Sequence, residues 1–374
     1  MIIVFVLGYA AIALEHPIKV DKAASALIIG GLGWALFAFS GVDHHTLTHE
    51  IQHHIVDIAE ILFFLLGAMT IVELVDAHQG FSIITDKITT NKKVYLIWIL
   101  SVITFFFSAV LDNLTTAIVM AALLPKLIKD KETLWLFAGV LIMAANAGGA
   151  WSPIGDVTTI MLWIGGQVSA ANIITAVIIP SVVCAVVPLV YLSFKLKGDI
   201  ERPLDTELDE HKKNPTTPFE RNLVFYLGVC GLLFVPVFKT VTHLPPYVGM
   251  LLSLGVLWLV TEIIHRSKNH EVKSQLSVIG VLRKVDTPTI FFFLGILLAV
   301  ASLQSAGQLD IVATYLDTTF NGQTAEGIYI INVIIGLLSS IVDNVPLVAG
   351  AMGMYPIAET GFYAADGMFW EFLA

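Results

Sequence analysis

The sequence predicts an all-α polytopic membrane protein built on an inverted-topology repeat, with re-entrant hairpins and broken transmembrane helices. Its composition, the placement of its basic residues and an internal duplication lead to this prediction. Of 374 residues, 56% are hydrophobic and 13% are charged, with a mean hydropathy of +0.83, whereas soluble domains have about 25% charged residues. Apolar runs approaching the roughly 20 residues that cross a bilayer recur. They lie at 57–75, 172–194, 222–238, 247–264 and 287–303.

The positions of lysine and arginine predict how the chain is threaded, because cytoplasmic loops are enriched in them. Of the 20 basic residues, 19 cluster at 19–22, 87–93, 126–131, 195–221 and 266–284, and Lys239 stands alone, while none lies in 41–56, 165–171, 308–327 or 359–367. Basic and non-basic loops alternate if the N-terminus lies outside and if residues 94–128 form a re-entrant hairpin on the cytoplasmic side. Non-helical backbone at such a tip is tolerated only where protein buries it or water reaches it, so the tip is a candidate site.

An internal repeat relates the two halves of the chain. Residues 108–113 (SAVLDN) match 339–344 (SSIVDN), and residues 63–67 (FFLLG) match 291–295 (FFFLG). The first unit, 1–194, then contains the hairpin at 94–128 and a broken helix at 133–164. An odd number of crossings in this unit inverts the second one, as in many alternating-access carriers.

The second unit is predicted at 222–374, after a cytoplasmic linker at 195–221, with its own hairpin at about 328–358. It ends at Ala374, which corresponds to about residue 138 of the first unit. We therefore expect the second unit to be truncated at its C-terminus relative to a complete repeat.

Each copy of the repeated motif places an Asp-Asn pair inside an apolar stretch. A carboxylate at membrane depth is costly unless it meets water, a partner or an ion, and it therefore indicates a functional site. Asp112 and Asn113 form the first pair, and Asp343 and Asn344 form the second. Nearby hydroxyls add further oxygens, from Ser108, Thr115 and Ser339.

A second polar segment, 146–159, interrupts the apolar stretch at 133–164. Three glycines and Pro153 break the helix there and free backbone groups. Hard cations prefer oxygen ligands, and this segment supplies Asn146, Asp156, Thr158 and Thr159. We predict a Na⁺ site at Asp112, Asn113, Asp156, Asp343 and Asn344, where protons compete with the cation for carboxylates that burial and mutual repulsion hold partly protonated.

Other ionisable residues have weaker assignments. Glu60 and Glu73 are candidates for coupling or a proton path, with helix packing as the alternative. His78 is expected at the cytoplasmic interface, and Glu262 is expected to snorkel or to pair with Arg266.

The histidine-rich loop predicted at 41–56 contains His-Glu-x-x-His, the zinc-protease pattern, at His49 to His53. A zinc protease also needs a third ligand and a substrate cleft, and the sequence indicates neither. A solvated loop is the simpler interpretation. Sensing of pH by His49 and His53 is the other, because histidine changes charge between about pH 5 and 8.

Four segments together resemble the NhaD family of sodium/proton antiporters, in the wider ion-transporter superfamily: 63–81, 108–116, 146–163 and 339–349. The resemblance covers essentially the whole chain. It implies a non-enzymatic carrier of the cell inner membrane that exchanges Na⁺ or Li⁺ for H⁺, with an ion site formed by the Asp-Asn tips and the broken helices. It further implies a homodimer in the lipid bilayer, with no cofactor and no nucleic-acid partner.

Alternative functions come from the same superfamily and from other classes of protein. An arsenite carrier of the same superfamily remains open, whereas dicarboxylate carriers typically have Ser-Asn-Thr at the tips, and an acidic tip repels an anion. An intramembrane aspartyl protease needs Gly-x-Gly-Asp, but Pro153 stands three residues before Asp156. A channel remains open, although it would not need acidic tips in both halves.

Overall fold

The computed structural model describes residues 1–85, 87–201, 216–340 and 342–374. The described chain is organised as helices, numbered here in chain order. They are α1 (Ile2–Ala13), α2 (Glu15–Ile18), α3 (Lys22–Ala38), α4 (His44–Ala77), α5 (Ser82–Thr85), α6 (Lys93–Leu111), α7 (Asn113–Leu127), α8 (Lys131–Ala150), α9 (Val157–Ile164), α10 (Ala170–Lys195), α11 (Pro218–Thr242), α12 (Pro246–Ile264), α13 (His270–Leu276), α14 (Val278–Leu282), α15 (Thr287–Ser305), α16 (Gln308–Phe320), α17 (Ala325–Ser339), α18 (Asn344–Met354) and α19 (Met368–Leu373).

Within the described ranges, seven helices are long and apolar enough to cross a membrane: α4, α6, α8, α10, α11, α12 and α15. Shorter apolar helices, among them α7 and α18, accompany them. The expected all-α polytopic membrane protein is confirmed. The inverted repeat and the re-entrant course of the hairpins remain predictions.

The chain forms two compact units, and each draws on both halves of the sequence. The first unit contains residues 1–65, 160–172 and 286–374, and the second contains 66–159 and 173–285. These units therefore divide the chain differently from the predicted repeat units, 1–194 and 222–374. Of the predicted linker at 195–221, residues 202–215 lie outside the described residues.

In the first unit, close packing of α3 against α15 depends on glycine. A Cβ atom at Gly30 would lie 2.6 Å from the carbonyl oxygen of Gly295, and one at Gly295 would lie 2.5 Å from the backbone of Ala26. Lipid tails are as apolar as the helices themselves, so association of membrane helices depends on van der Waals packing. Small residues at the interface let the helices approach closely enough for that packing. The Trp34 indole then donates to the Leu298 carbonyl across the two helices, at 3.0 Å.

In the second unit, α6, α7 and α8 pack around a common apolar core. Leu96, Leu100, Met120, Leu124 and Phe137 are fully buried in it. This packing holds the end of α6, the start of α7 and the end of α8 close together, and the polar residues at these ends are the ones that the sequence singled out.

The prediction of a loop at 41–56 is wrong, because α4 already begins at His44. Asp43 explains the early start. Its carboxylate accepts hydrogen bonds from the backbone amides of His45 and Thr46, both at 3.0 Å, as an N-cap does. Hydrogen bonds from the side chain and the backbone amide of Thr46 hold the pKa of Asp43 below its usual value.

Candidate functional site

A polar cluster in the second unit lies where four helices end or begin. Helix α6 ends at Leu111 and α7 begins at Asn113, while α8 ends at Ala150 and α9 begins at Val157. Asp112 makes the turn between α6 and α7 with a φ angle of 73°, a conformation that side chains rarely adopt. Because helix ends leave backbone amides and carbonyls without helical partners, the cluster concentrates polar groups inside an apolar bundle.

Asp112 caps the N-terminus of α7. Its Oδ1 accepts the backbone amide of Thr115 at 2.8 Å, and its Oδ2 accepts the Thr115 hydroxyl at 2.7 Å. A carboxylate is favoured here by the partial positive charge of the helix N-terminus. Each oxygen retains a further lone pair, so the carboxylate can accept a proton or a cation without giving up its capping role.

Asp156 plays the same part for α9 and is only 6% exposed. Its Oδ1 accepts the backbone amide of Thr158 at 2.9 Å and the Thr158 hydroxyl at 2.7 Å. Its Oδ2 accepts the side-chain amide of Asn113. The first Asp-Asn pair and the broken helix, which the sequence identified separately, are therefore brought together.

The orientation of Asn113 follows from its acceptors. Its Nδ2 donates to Asp156 and also to Asn146 Oδ1, at 2.9 Å, while Asn146 donates its own amide to the Ile142 carbonyl at 2.9 Å. The oxygen of Asn113 accepts the backbone amide of Leu114. We expected Asn113 to offer an oxygen to a cation. In this structure it turns its NH₂ group toward Asp156 instead.

The segment 151–156, between α8 and α9, is held against α6 by hydroxyl groups. Ser108 donates to the Ala145 carbonyl and Ser152 donates to the Ala109 carbonyl. Thr159 donates to the carbonyl of Ser152 at 2.8 Å. Ser108, Ser152 and Thr159, which the sequence offered as oxygen donors for a cation, thus make buried contacts with the backbone.

Glycines let this segment approach α6. A Cβ atom at Gly148 would lie 2.1 Å from the Phe105 carbonyl oxygen, and one at Gly155 would lie 2.7 Å from the Ser108 carbonyl oxygen. Real Cβ atoms do not come that close to backbone, so these positions tolerate only glycine without a shift. The small residues that break the helix are therefore also those that let it pack.

The second Asp-Asn pair lies in the first unit. Asp343 caps α18: its Oδ1 accepts the backbone amide of Val345 at 3.1 Å, and its Oδ2 accepts the Lys22 ammonium at 3.4 Å. Ser339 ends α17 and Asn344 begins α18. Asp112 and Asp343 belong to different compact units. The predicted Na⁺ site therefore draws its residues from both units, and it remains a prediction.

Glu60 faces a cavity of about 360 Å³ in the first unit. The polar residues around this cavity are His53, His54, Asp57, Glu60, Gln167 and Gln304. Glu73, the other candidate for coupling, lies half-buried on α4 in the second unit. A coupling role for either residue remains a prediction.

The histidine cluster lies at the start of helix α4. Within the described ranges, no group of three His, Cys, Asp or Glu residues is arranged to hold a metal ion. Glu50 instead accepts the Ser305 hydroxyl at 3.0 Å, which also contacts His54 Nε2 at 3.0 Å. His53 is exposed, with its Nδ1 3.8 Å from Asp57. The sequence pattern did not single out His54, whose side chain is more buried than that of His53.

At the predicted cytoplasmic helix ends, the expected pairing of Glu262 with Arg266 is wrong, and the interfacial position of His78 remains a prediction. His78 is completely buried in the second unit, where its ring stacks on His265 with the two Nε2 atoms 3.1 Å apart. Burial lowers the pKa of His78 to about 4 and also lowers that of His265. Glu262 pairs with Lys273 at 2.9 Å rather than with Arg266, because α13 folds back beside it.

Comparison with known proteins places the chain. The family model described as CitMHS, citrate transporter, matches residues 9–373. Sodium/proton antiporter 1 of Arabidopsis thaliana is 44% identical over 376 residues, which are all of this chain and 63% of the relative. Sodium/proton antiporter 2 of the same plant is 41% identical over 383 residues, covering 100% of this chain and 86% of the relative.

The Na⁺/H⁺ antiporter NhaD of Vibrio cholerae is 30% identical over 389 residues, covering 96% of this chain and 78% of the relative. The chain thus spans somewhat less than two thirds of the first plant relative and more of the other two. These matches confirm the resemblance read from the four sequence segments. The chain therefore belongs to the CitMHS family of transporters and groups within it with the NhaD-type sodium/proton antiporters.

Proposed function

We propose that this chain is a secondary active transporter that exchanges Na⁺, and also Li⁺, for H⁺ by alternating access. One observation carries the proposal. Two aspartates, Asp112 and Asp156, begin two helices inside the second unit, and the amide of Asn113 lies against one of them. The names of the relatives, which are sodium/proton antiporters, support the same activity.

The cation would be held by oxygens that the cluster already concentrates. Carboxylates, hydroxyls and backbone carbonyls are the ligands that hard cations prefer, and Asp112, Asp156, Thr115 and Thr158 bring the first two kinds. The ends of α6 and α8 add carbonyls, whose partial negative charge favours a cation. Protons bind the same carboxylates, so cation and proton exclude one another, which is the requirement for exchange.

Asn113 has a specific part in this proposal. In this structure its amide donates to Asp156 and so satisfies one carboxylate oxygen. An entering cation replaces this hydrogen bond, and Asn113 must turn or withdraw. The oxygen that we expected from Asn113 would face the cation only after that movement.

An anion carrier is the second candidate, because the matching family model is described as a citrate transporter. Helix N-termini attract anions, and α7 and α9 both begin at the cluster. However, Asp112 and Asp156 already occupy these two N-termini with their own carboxylates. An incoming dicarboxylate would meet two negative charges, so the geometry favours a cation. Arsenite is tested in the same experiment.

The test is Na⁺-driven dequenching of a ΔpH-sensitive dye in everted membrane vesicles from a host without its own antiporters. Na⁺, Li⁺, K⁺, arsenite, succinate and citrate are added in turn, with vesicles that contain Asp112→Asn as the matched control. Dequenching by Na⁺ and Li⁺ that the control lacks supports the proposal. Transport of arsenite, succinate or citrate without a response to any cation contradicts it.

The membrane setting is part of the proposal. We infer a location in the cell inner membrane with the N-terminus outside, supported by the alternation of basic and non-basic loops, and a homodimer, which the resemblance implies. A cysteine introduced at position 43, after replacement of Cys184 and Cys230, would react with an impermeant thiol reagent added outside intact cells. Protection in intact cells and labelling in everted vesicles would reverse the assigned orientation.

A further inference from the structure

The two Asp-Asn motifs have the same sequence pattern but different surroundings. The Asp112 carboxylate accepts hydrogen bonds from neutral groups, among them the amide and hydroxyl of Thr115. Asp343 instead faces a full positive charge, because Lys22 Nζ lies 3.4 Å from its Oδ2. Its other oxygen accepts the Val345 amide. The carboxylate of the second motif is therefore paired with a lysine ammonium group.

Lys22 is held in this position by more than the carboxylate. Its ammonium group lies over the ring of Phe292, 4.3 Å from the centroid, which is within the range of a cation–π interaction. Tyr9 donates its hydroxyl to the backbone carbonyl of Asp343 at 3.2 Å. Residues of α1, α3 and α15 thus surround the start of α18.

The location of Lys22 in its own helix is unfavourable without such a partner. Lys22 is the first residue of α3, whose N-cap is Asp21, and a positive charge at a helix N-terminus opposes the helix dipole. The side chain nevertheless extends to Asp343, more than 300 residues away in the sequence. An ion pair that is maintained against a local electrostatic cost indicates a role at the motif.

We propose that Lys22 is a tethered counter-cation that occupies the carboxylate of the second Asp-Asn motif, so that the transported cation binds at the Asp112–Asp156 motif alone. This rests on the proposed function and adds a residue that determines how many cations the chain binds. The Lys22 side chain is 36% exposed and that of Asp343 is 25% exposed. The carboxylate is therefore accessible, and removing the ammonium would leave it open to a second cation.

The test uses the full chain in liposomes, with Na⁺-driven H⁺ movement and equilibrium binding of radioactive Na⁺ as the two readouts. Lys22→Gln should raise the bound Na⁺ from one to two per chain, while Lys19→Gln, at a neighbouring lysine that has no ion pair within the described residues, should leave it at one. Asp343→Asn should slow exchange by up to about tenfold, because removing one charge of a contacting pair leaves the Lys22 ammonium beside the motif without its counter-charge. The double variant Lys22→Gln/Asp343→Asn should recover to within about threefold of wild type, as coupled residues do.

Two results would overturn the inference while wild-type exchange remains intact. One is a double variant as inactive as Asp343→Asn, which would make Asp343 a direct cation ligand. The other is Lys22→Gln that folds, as judged by gel filtration, and binds no more Na⁺ than wild type. A wild-type chain without Na⁺-dependent exchange would instead refute the proposed function, and this inference with it.

Discussion

The side-chain amide of Asn113 donates to the carboxylate of Asp156, and this bond joins the turn between α6 and α7 to the start of α9. The two residues come from segments that are separated by the whole of α8. Each lies at the start of a helix, so a change at either one is transmitted to both helix ends.

Replacing either aspartate of the cluster should abolish exchange and leave the protein folded. Asp112→Asn and Asp156→Asn keep the size of the side chain and an oxygen that can cap the helix, but they remove the charge that holds a cation. Exchange in vesicles should fall to background, with unchanged elution in gel filtration. Asp310→Asn, on an exposed position of α16, is the control and should exchange normally. Exchange by Asp112→Asn would refute the assigned role.

Gly148→Ala should destabilise the second unit, whereas Gly139→Ala on the same helix should not. The new Cβ at position 148 would lie 2.1 Å from the Phe105 carbonyl oxygen, while no atom lies within 4 Å of one at position 139. Overpacking of this kind costs about 1–3 kcal/mol, and glycine to alanine in an open helix gains roughly 0.5–1 kcal/mol. Thermal unfolding in detergent measures both. Equal midpoints for the two variants would contradict the close approach.

The stability of the second unit should fall as the pH is lowered from about 6.5 toward 4. Burial lowers the pKa of His78 from 6.5 to about 4, so in this range the unfolded chain binds a proton that the folded chain does not. Stability is then lost at up to about 1.4 kcal/mol per pH unit as the pH falls.

The measurement for His78 is the unfolding midpoint as a function of pH. His78→Asn keeps a donor for the Leu74 carbonyl, which His78 Nδ1 contacts at 2.7 Å, and should flatten the dependence. His270→Asn, at an exposed position, is the control and should leave the dependence unchanged. A slope that persists in His78→Asn would assign it to other groups, such as Glu220, which pairs with Lys268 at 2.7 Å.

The histidines at the start of α4 should have two different effects. His49 and His53 should affect the pH dependence of exchange, whereas His54 should affect the stability of the fold. His49 and His53 are exposed, and replacing both with alanine should shift the pH profile of exchange. His54→Gln should mainly lower the unfolding midpoint, because His54 contacts Ser305 from a partly buried position. Exchange profiles and unfolding curves of the two variants test this. An unchanged profile in the double alanine variant would exclude pH sensing by His49 and His53.

Much of this protein was predictable from the sequence because the relevant signals are local. A run of apolar residues predicts a membrane helix from its length alone. Glycine and proline between Asn146 and Asp156 predict a break in the helix because of their own backbone properties. The family was recognisable for the same reason, since its motifs lie in these short segments.

Tertiary structure alone decided which of the distant side chains meet. The pairs Asn113–Asp156, His78–His265 and Lys22–Asp343 each join residues far apart in the sequence. Lys22, which the sequence used only as a marker of topology, proved to face the second aspartate. Hydrophobic periodicity tells which face of a helix is buried, but not which partner it is buried against. The partner of a buried face depends on how whole helices pack. For this reason the two Asp-Asn motifs have different electrostatic surroundings.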